Sequence, residues 1–191
     1  MKKFLLTFIL LVCVMGVSTF AWEPMDLTTY PSFTKPGDWI LNLGMGFSGI
    51  PGQGRNYGKD YIFIPPVHLS LDRNVPLGDK GLPFFFGGFL DHWGYGSKIK
   101  DQKYYYSSIG LGVRFGYHFN WGVDKLDTYA VTQAGWSIWA GKKDYLPTKF
   151  GWPSLSINIG ARYFLIDWFG FWAEAGMGSL FSVNLGLAFK F

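Results

Sequence analysis

Apolar and polar residues alternate along much of this chain, and the last eleven residues, FSVNLGLAFKF at 181–191, show the pattern most clearly. Every odd position there is apolar, and every even position is small or polar. A period of two predicts a β-strand with one apolar face. An edge strand of a soluble sheet is the alternative, but an exposed edge this apolar would invite aggregation. We therefore expect the apolar face to be covered.

The same alternation predicts seven further strands, with glycine-rich or charged segments between them. Their predicted ranges are 39–47, 64–72, 83–93, 105–119, 127–140, 155–165 and 171–179. Range 83–93 is nearly all apolar, and there we expect Phe84, Phe86 and Leu90 to face outward. Residues 22–38 contain three prolines and no alternation, which predicts an irregular leader.

The character of the two strand faces predicts where the strands lie. The polar face is mostly Gly, Ser and Asn, with isolated charges at Arg114, Arg162 and Glu174. A soluble barrel must place charge on its outside, and this face has too little. It suits the narrow interior of an eight-stranded barrel, while the opposite face suits lipid. Strands of about 9–11 residues cross a bilayer when tilted. The sequence predicts an all-β fold, an eight-stranded antiparallel up-and-down transmembrane β-barrel over 39–191.

Composition agrees with a membrane barrel. Aromatic residues make up 20% of the chain and charged residues only 16%, a combination unusual for a soluble domain. Tryptophan and tyrosine cluster near predicted strand ends, as in the aromatic girdles of outer-membrane barrels: Trp39, Tyr105, Tyr117, Trp136, Tyr163 and Trp168. The single cysteine excludes an internal disulfide.

The N-terminal stretch predicts export. In MKKFLLTFILLVCVMGVSTFA, two lysines precede an apolar run that ends in small residues at positions 19 and 21. This is the pattern of a signal peptide over 1–21, cleaved after Ala21. A lipoprotein anchor at Cys13 is the alternative, although Val12 is larger than the residue that usually precedes a lipidated cysteine.

The whole mature chain resembles the small eight-stranded outer-membrane barrels, which include the OmpA transmembrane domain, OmpX and the opacity proteins. The signal peptide, FWAEAGMG at 171–178 and the terminal FSVNLGLAFKF carry this resemblance. It implies a bacterial outer-membrane location among outer-membrane lipid. It also implies insertion by the barrel-assembly machinery, which would read the terminal aromatics Phe189 and Phe191. A monomer without cofactor, metal or nucleic acid is expected, and a biochemical role follows only weakly.

An even number of strands with a periplasmic C-terminus places loops 48–63, 94–103, 141–153 and 178–181 outside the cell. The first three loops carry three aspartates against eight basic residues: Arg55, Lys59, Lys98, Lys100, Lys103, Lys142, Lys143 and Lys149. Basic loops would attract the phosphorylated glycolipid of the outer leaflet; simple solvation of the loops is the alternative. These loops predict a non-enzymatic structural or surface-interaction role with an unidentified extracellular ligand.

Two other functions are weighed against that role. His68 and Ser70 share a strand face with Asp72, which resembles the barrel deacylases that trim lipid A with a serine, a histidine and an acid. A lumen histidine packed among its neighbours is the structural alternative. A narrow pore is the third hypothesis, since lumen glycines would widen an interior that eight strands normally fill. Three scattered histidines lack metal-ligand spacing.

One contact inside the barrel can be predicted from hairpin geometry. If the hairpin of the sixth and seventh strands is centred on Trp168, Arg162 lies opposite Glu174. Both residues fall on the polar faces of their strands. A charge confined in the lumen needs a partner, which predicts a direct cross-strand ion pair between them.

Overall fold

Eight antiparallel strands close into a barrel in the computed structural model, which describes residues 25–47, 60–99, 102–141, 149–178 and 183–191. The strands are β1 (Trp39–Phe47), β2 (Asp60–Leu77), β3 (Leu82–Ile99), β4 (Gln102–Phe119), β5 (Leu126–Gly141), β6 (Lys149–Ile166), β7 (Phe169–Met177) and β8 (Val183–Lys190). Each strand pairs with the next, and β1 also pairs with β8. The predicted all-β barrel is confirmed. The predicted signal peptide, 1–21, lies outside the described residues.

Alternation along each strand separates a packed interior from an apolar exterior. In β6, Leu155, Ile157 and Ile159 are 63–69% exposed, whereas Ser156 and Asn158 are at most 4% exposed. The same contrast runs around the barrel and gives a continuous band of exposed apolar side chains, far more than a soluble monomer presents. No helix in the described part of the chain is long and apolar enough to span a membrane.

The barrel has two unlike ends. The turn end carries the turns 78–81, 120–125 and 167–168 together with Trp39 and Phe191. The opposite, long-strand end is uneven, because β2 to β6 have 16–18 residues and β1, β7 and β8 have 8 or 9. In β4 the exposed large apolar side chains run from Ile109 to Phe115, and the strand continues for seven residues, Gln102–Ser108, toward the long-strand end.

Several predicted loops are therefore partly strand. Backbone pairing continues where the apolar alternation stops, with Tyr61 opposite Ser97 and Lys98 opposite Lys103. Hydrophobic periodicity detects only the part of a strand that borders an apolar surface. Strand ends that project beyond it keep their backbone hydrogen bonds without that signature.

The predicted pairing of Arg162 with Glu174 is wrong. Arg162 lies opposite Trp172, and Glu174 lies opposite Gly160. The register shifts between Phe164 and Ile166, so the hairpin is not symmetric about Trp168. The displacement is two residues, and an even shift keeps both side chains on the same face. Both are consequently still buried inside the barrel, with different partners.

Lumen glycines make room for aromatic rings and do not widen the interior. Phe85 lies opposite Gly116, Tyr129 opposite Gly160 and Trp172 opposite Gly186. A methyl group added at Gly116 would collide with the Phe85 ring, and one at Gly160 with the Tyr129 ring. All three aromatic residues are at most 2% exposed. The glycines and the rings together occupy the middle of the lumen.

The irregular leader, described from residue 25 to 38, crosses the turn end. Its Tyr30 hydroxyl donates to the Phe84 carbonyl at 2.9 Å, and Asp26 forms an isolated bridge with Asn120. Lys190 Nζ lies 3.9 Å from the Phe33 ring centre and donates to the Phe33 carbonyl at 2.6 Å. Burial, reinforced by the charge of Asp38, raises the pKa of Tyr30 to about 12. The leader thus ties β3, β4 and β8 together across this mouth.

Candidate functional site

The barrel interior holds a network of eight ionisable side chains contributed by six strands. Each is at most 2% exposed: His68, Asp72, Asp91, Arg114, His118, Asp127, Arg162 and Glu174. Because successive side chains of a strand point to opposite faces, all eight point into the barrel. Isolated charges in such a place are prohibitively costly, so every member requires a partner.

Asp72 of β2 is the centre of the network. One of its carboxylate oxygens lies 2.9 Å from Nε of Arg114, and the other accepts from Nη2 of Arg162. Nδ2 of Asn42 donates to the same carboxylate at 3.2 Å. One carboxylate therefore joins guanidinium groups from β4 and β6 across the lumen.

Arg162 uses its whole guanidinium fork. Nη1 donates to Oδ2 of Asp127 at 2.8 Å, and Nε donates to Oδ1 of Asn42 at 2.9 Å. Its Cζ also lies 4.2 Å from the ring centre of Tyr129, a cation–π contact. Arg162 thereby connects β6 with β1, β2 and β5. The planar fork explains why arginine suits this position better than lysine.

Glu174 accepts four hydrogen bonds, and Arg162 supplies none of them. Nη2 of Arg114 and the Tyr129 hydroxyl donate to Oε2, each at 2.9 Å. Nε2 of Gln133 and Nδ2 of Asn158 donate to Oε1, each at 3.0 Å. A carboxylate with four donors is fully satisfied.

Each end of the network carries a histidine bonded to an aspartate. Nδ1 of His68 lies 2.6 Å from Asp91, and its Nε2 lies 3.4 Å from Nη1 of Arg114. Nδ1 of His118 lies 2.5 Å from Asp127, and its Nε2 lies 3.0 Å from Oδ1 of Asn74. The rings extend the network along the barrel axis in both directions.

The deacylase-like triad is not assembled. The Ser70 hydroxyl accepts from Nδ2 of Asn42 at 2.9 Å, while both nitrogens of His68 face Asp91 and Arg114. Asp72 is engaged by the two arginines. A nucleophile needs its base within hydrogen-bond reach, and here the base points elsewhere inside a closed lumen. Among the described residues, no group of three or more His, Cys, Asp or Glu could hold a metal ion.

Three of the eight basic residues predicted for surface contacts lie in described strands. Lys98, Lys103 and Lys149 are in β3, β4 and β6 at the long-strand end, where their backbone positions are described. The other five basic residues lie outside the described residues: Arg55, Lys59, Lys100, Lys142 and Lys143.

The predicted assembly aromatics lie at the turn end. The Phe189 ring centre is 5.5 Å from that of Phe169. Phe191 is 69% exposed, and its backbone exchanges two hydrogen bonds with Trp39. Its ring is therefore accessible, while its backbone is fixed in the barrel wall.

Sequence reasoning missed most of the network. Asp91, Asp127 and His118 all occupy the alternate positions of their strands that face the interior. That alternation is the sequence signal that could have placed them inside the barrel. Their partners are 9 to 44 residues away in sequence. Only the register of the closed barrel brings such residues together.

Solved structures of small outer-membrane barrels are similar to this chain. The Ail protein of Yersinia pestis in complex with the heparin analogue sucrose octasulfate matches with 13% identity and a TM-score of 0.52, covering 82% of this chain and 100% of that one. The N-terminal β-barrel domain of Pseudomonas aeruginosa OprF matches with 12% identity and a TM-score of 0.46, covering 82% and 98%. These likenesses concern the fold. No family model and no curated protein matches the sequence.

Proposed function

We propose that this protein is a monomeric, non-enzymatic outer-membrane barrel that carries a basic interaction surface at its long-strand end. The observation that supports this most directly is the apolar band around a filled, polar lumen. In lipid, a closed barrel leaves no unpaired strand edge, and the band supplies the apolar contact that lipid requires. The long strands then project beyond the bilayer.

A pore is the less favoured role. The middle of the lumen is occupied by the ion network and by Phe85, Tyr129 and Trp172, and the leader crosses the turn end. Eight strands enclose room for side chains and little else. Purified protein in planar bilayers is expected to show no steady single-channel conductance, and a stable conducting level would contradict the closed lumen.

The location has a direct test. Expressed in a Gram-negative host, the protein is expected to fractionate with the outer membrane and to migrate faster on gels when unheated, because the folded barrel is compact. Its mature N-terminus should lie near Trp22. Recovery in the soluble periplasm, or retention of residues 1–21, would contradict the proposal.

The basic surface suits the phosphorylated glycolipid of the outer leaflet. Lys98 and Lys103 are direct register partners on neighbouring strands, and Lys149 lies on β6 at the same end. Clustered positive charge raises the local concentration of anionic groups. Solvation alone would give no preference between phosphorylated and dephosphorylated lipid.

Charge removal at that end is expected to weaken glycolipid binding. The triple variant Lys98→Gln, Lys103→Gln and Lys149→Gln should bind phosphorylated lipopolysaccharide about tenfold less tightly, since a surface ion pair is typically worth about 0.5 kcal/mol. Binding can be followed by the rise in melting temperature when the lipid is added. The control variant, Lys35→Gln, Lys80→Gln and Lys125→Gln, removes the same charge from the turn end and should bind like wild type. Equal loss in both variants would favour a nonspecific charge effect.

Removal of the terminal aromatic is expected to slow insertion more than it weakens the folded barrel. Phe191→Ser keeps the backbone bonds to Trp39 and loses only an exposed ring, so its free energy of unfolding should change by less than about 1 kcal/mol. Insertion in cells, measured as the fraction of heat-modifiable protein over time, should fall severalfold, and Phe191→Tyr should restore it. Unchanged insertion in Phe191→Ser would remove the assembly role.

A further inference from the structure

The lumen network contains more carboxylates than guanidinium groups. Four carboxylates face two arginines, and three of the four contact a guanidinium. The fourth is Asp91, which is 2% exposed and has no guanidinium or ammonium contact among the described side chains. Its ionisable neighbour there is His68, at 2.6 Å.

The hydrogen-bond geometry around His68 favours a neutral ring beside Asp91. A guanidinium group has donors and no acceptor, so Nε2 of His68, which faces Arg114 at 3.4 Å, must accept. The ring proton then lies on Nδ1 and is donated to Asp91. A neutral imidazole satisfies a hydrogen bond but does not balance the carboxylate.

His118 differs because both of its nitrogens face acceptors. Nδ1 meets Asp127, and Nε2 meets Oδ1 of Asn74. The amide nitrogen of Asn74 is committed to the Lys35 carbonyl at 3.0 Å, which fixes the oxygen toward the ring. A ring that donates from both nitrogens is an imidazolium. With that charge counted, the described ionisable groups of the network carry one more negative than positive charge, and Asp91 is the carboxylate without a cationic partner among them.

A small polar pocket adjoins Asp91 on the side facing the long-strand end. Phe89, Asp91, Gln133, Ser137, Ser154 and Ser156 line it. Nε2 of Gln133 is committed to Glu174, so its Oε1 is directed toward Ser156, at 3.4 Å. The lining therefore offers a carboxylate, an amide oxygen and three hydroxyls. It has room for roughly one water-sized occupant.

We infer that this pocket binds a small monovalent cation of alkali-metal size. Its oxygens are hard ligands, which hard cations prefer, and its single carboxylate matches a single positive charge. Calcium normally takes several carboxylates and six to eight oxygens, more than this lining provides. The cation supplies the charge that His68 does not, and it stabilises the closed barrel from inside. This role is independent of any contact made by the surface lysines.

The test compares cations of different size at constant chloride. The full mature protein, folded in zwitterionic detergent, is melted in sodium, potassium or N-methylglucamine chloride, and unfolding is followed by heat-modifiable migration. Wild type is expected to melt about 2–4 °C higher in sodium or potassium than in N-methylglucamine, because a ligand that binds only the folded state raises its stability. Equal melting in all three salts would overturn the inference.

Three variants connect the effect to the pocket. Asp91→Asn should lose the difference between small and large cations, while Asp79→Asn, in the exposed turn 78–81, should keep it. Because Asp91→Asn disturbs the bond to His68 and could prevent folding, Ser154→Ala provides a second measurement. Ser154 lines the pocket at a half-buried position, and its loss should reduce the difference at least twofold. Retention of the full difference in Ser154→Ala and Asp91→Asn would also overturn the inference.

Discussion

Arg162→Met is expected to destabilise the folded barrel by about 3–5 kcal/mol, the usual cost of leaving a buried charge without its partner. The substitution removes the guanidinium that contacts both Asp72 and Asp127, which are fully buried. Urea titration of the heat-modifiable band in vesicles measures the loss. Arg73→Met is the matched control, because Arg73 lies at the surface over the Trp39 ring at 5.3 Å and should cost less than about 1 kcal/mol.

Double substitutions test which residues are partners. Arg162→Met combined with Asp127→Asn should cost clearly less than the sum of the two single changes, since the residues are in contact. Arg162→Met combined with Glu174→Gln should come closer to additivity, because the observed register separates them. The reverse order of coupling would reinstate the direct Arg162–Glu174 pair. A loss below 1 kcal/mol for Arg162→Met alone would mean that water reaches the network.

Gly116→Val is expected to cost about 3 kcal/mol or to prevent folding, at the upper end for overpacked cores. Its side chain would occupy the space of the Phe85 ring, which is fully buried. Phe85 in turn packs against His118 and Tyr129, with ring centres 5.0 and 5.3 Å apart, so it has nowhere to move. The free energy of unfolding and the yield of folded protein after refolding both measure the effect.

Gly88→Val provides the matched control for the same change in volume. The nearest atom to a methyl group at Gly88 is a backbone oxygen at 3.5 Å, an ordinary contact. Its cost should stay below about 1 kcal/mol. Gly116→Val combined with Phe85→Ala should recover part of the loss, since the cavity accepts the valine. Equal costs at Gly116 and Gly88 would show that ring packing does not explain the glycine.

Prediction from the sequence was most accurate where a strand borders the apolar band. The predicted range of β1, 39–47, is identical to the observed one, and Phe86 and Leu90 face outward as expected. It was least accurate at the long-strand end, where Lys98 and Lys103 pair outside the reach of any apolar pattern. The alternation of apolar and polar residues indicates which surface a strand contacts. Backbone pairing continues where that alternation stops.

The sequence predicts which side chains face the interior, but it does not predict which of them contact one another. The alternation of side chains along a strand directs Arg162 and Glu174 inward in both the predicted and the observed register. Choosing Asp127 or Glu174 as the partner of Arg162 depends on the irregularity between Phe164 and Ile166. Phe164, Leu165 and Ile166 are all apolar, so the hydrophobic pattern carries no information on the one-residue bulge among them, and the lumen pairing required the structure.

The leader also affects how the barrel comes apart. The bond from Lys190 to the Phe33 carbonyl joins residues 157 positions apart, and it requires β8 to have found β1. Because loop-closure entropy must be overcome before such a long-range contact can form, we expect this one to form late, after the folding transition state. Interactions of this type slow unfolding without accelerating folding. We therefore expect the leader to lengthen the lifetime of the closed barrel more than it changes the folding rate.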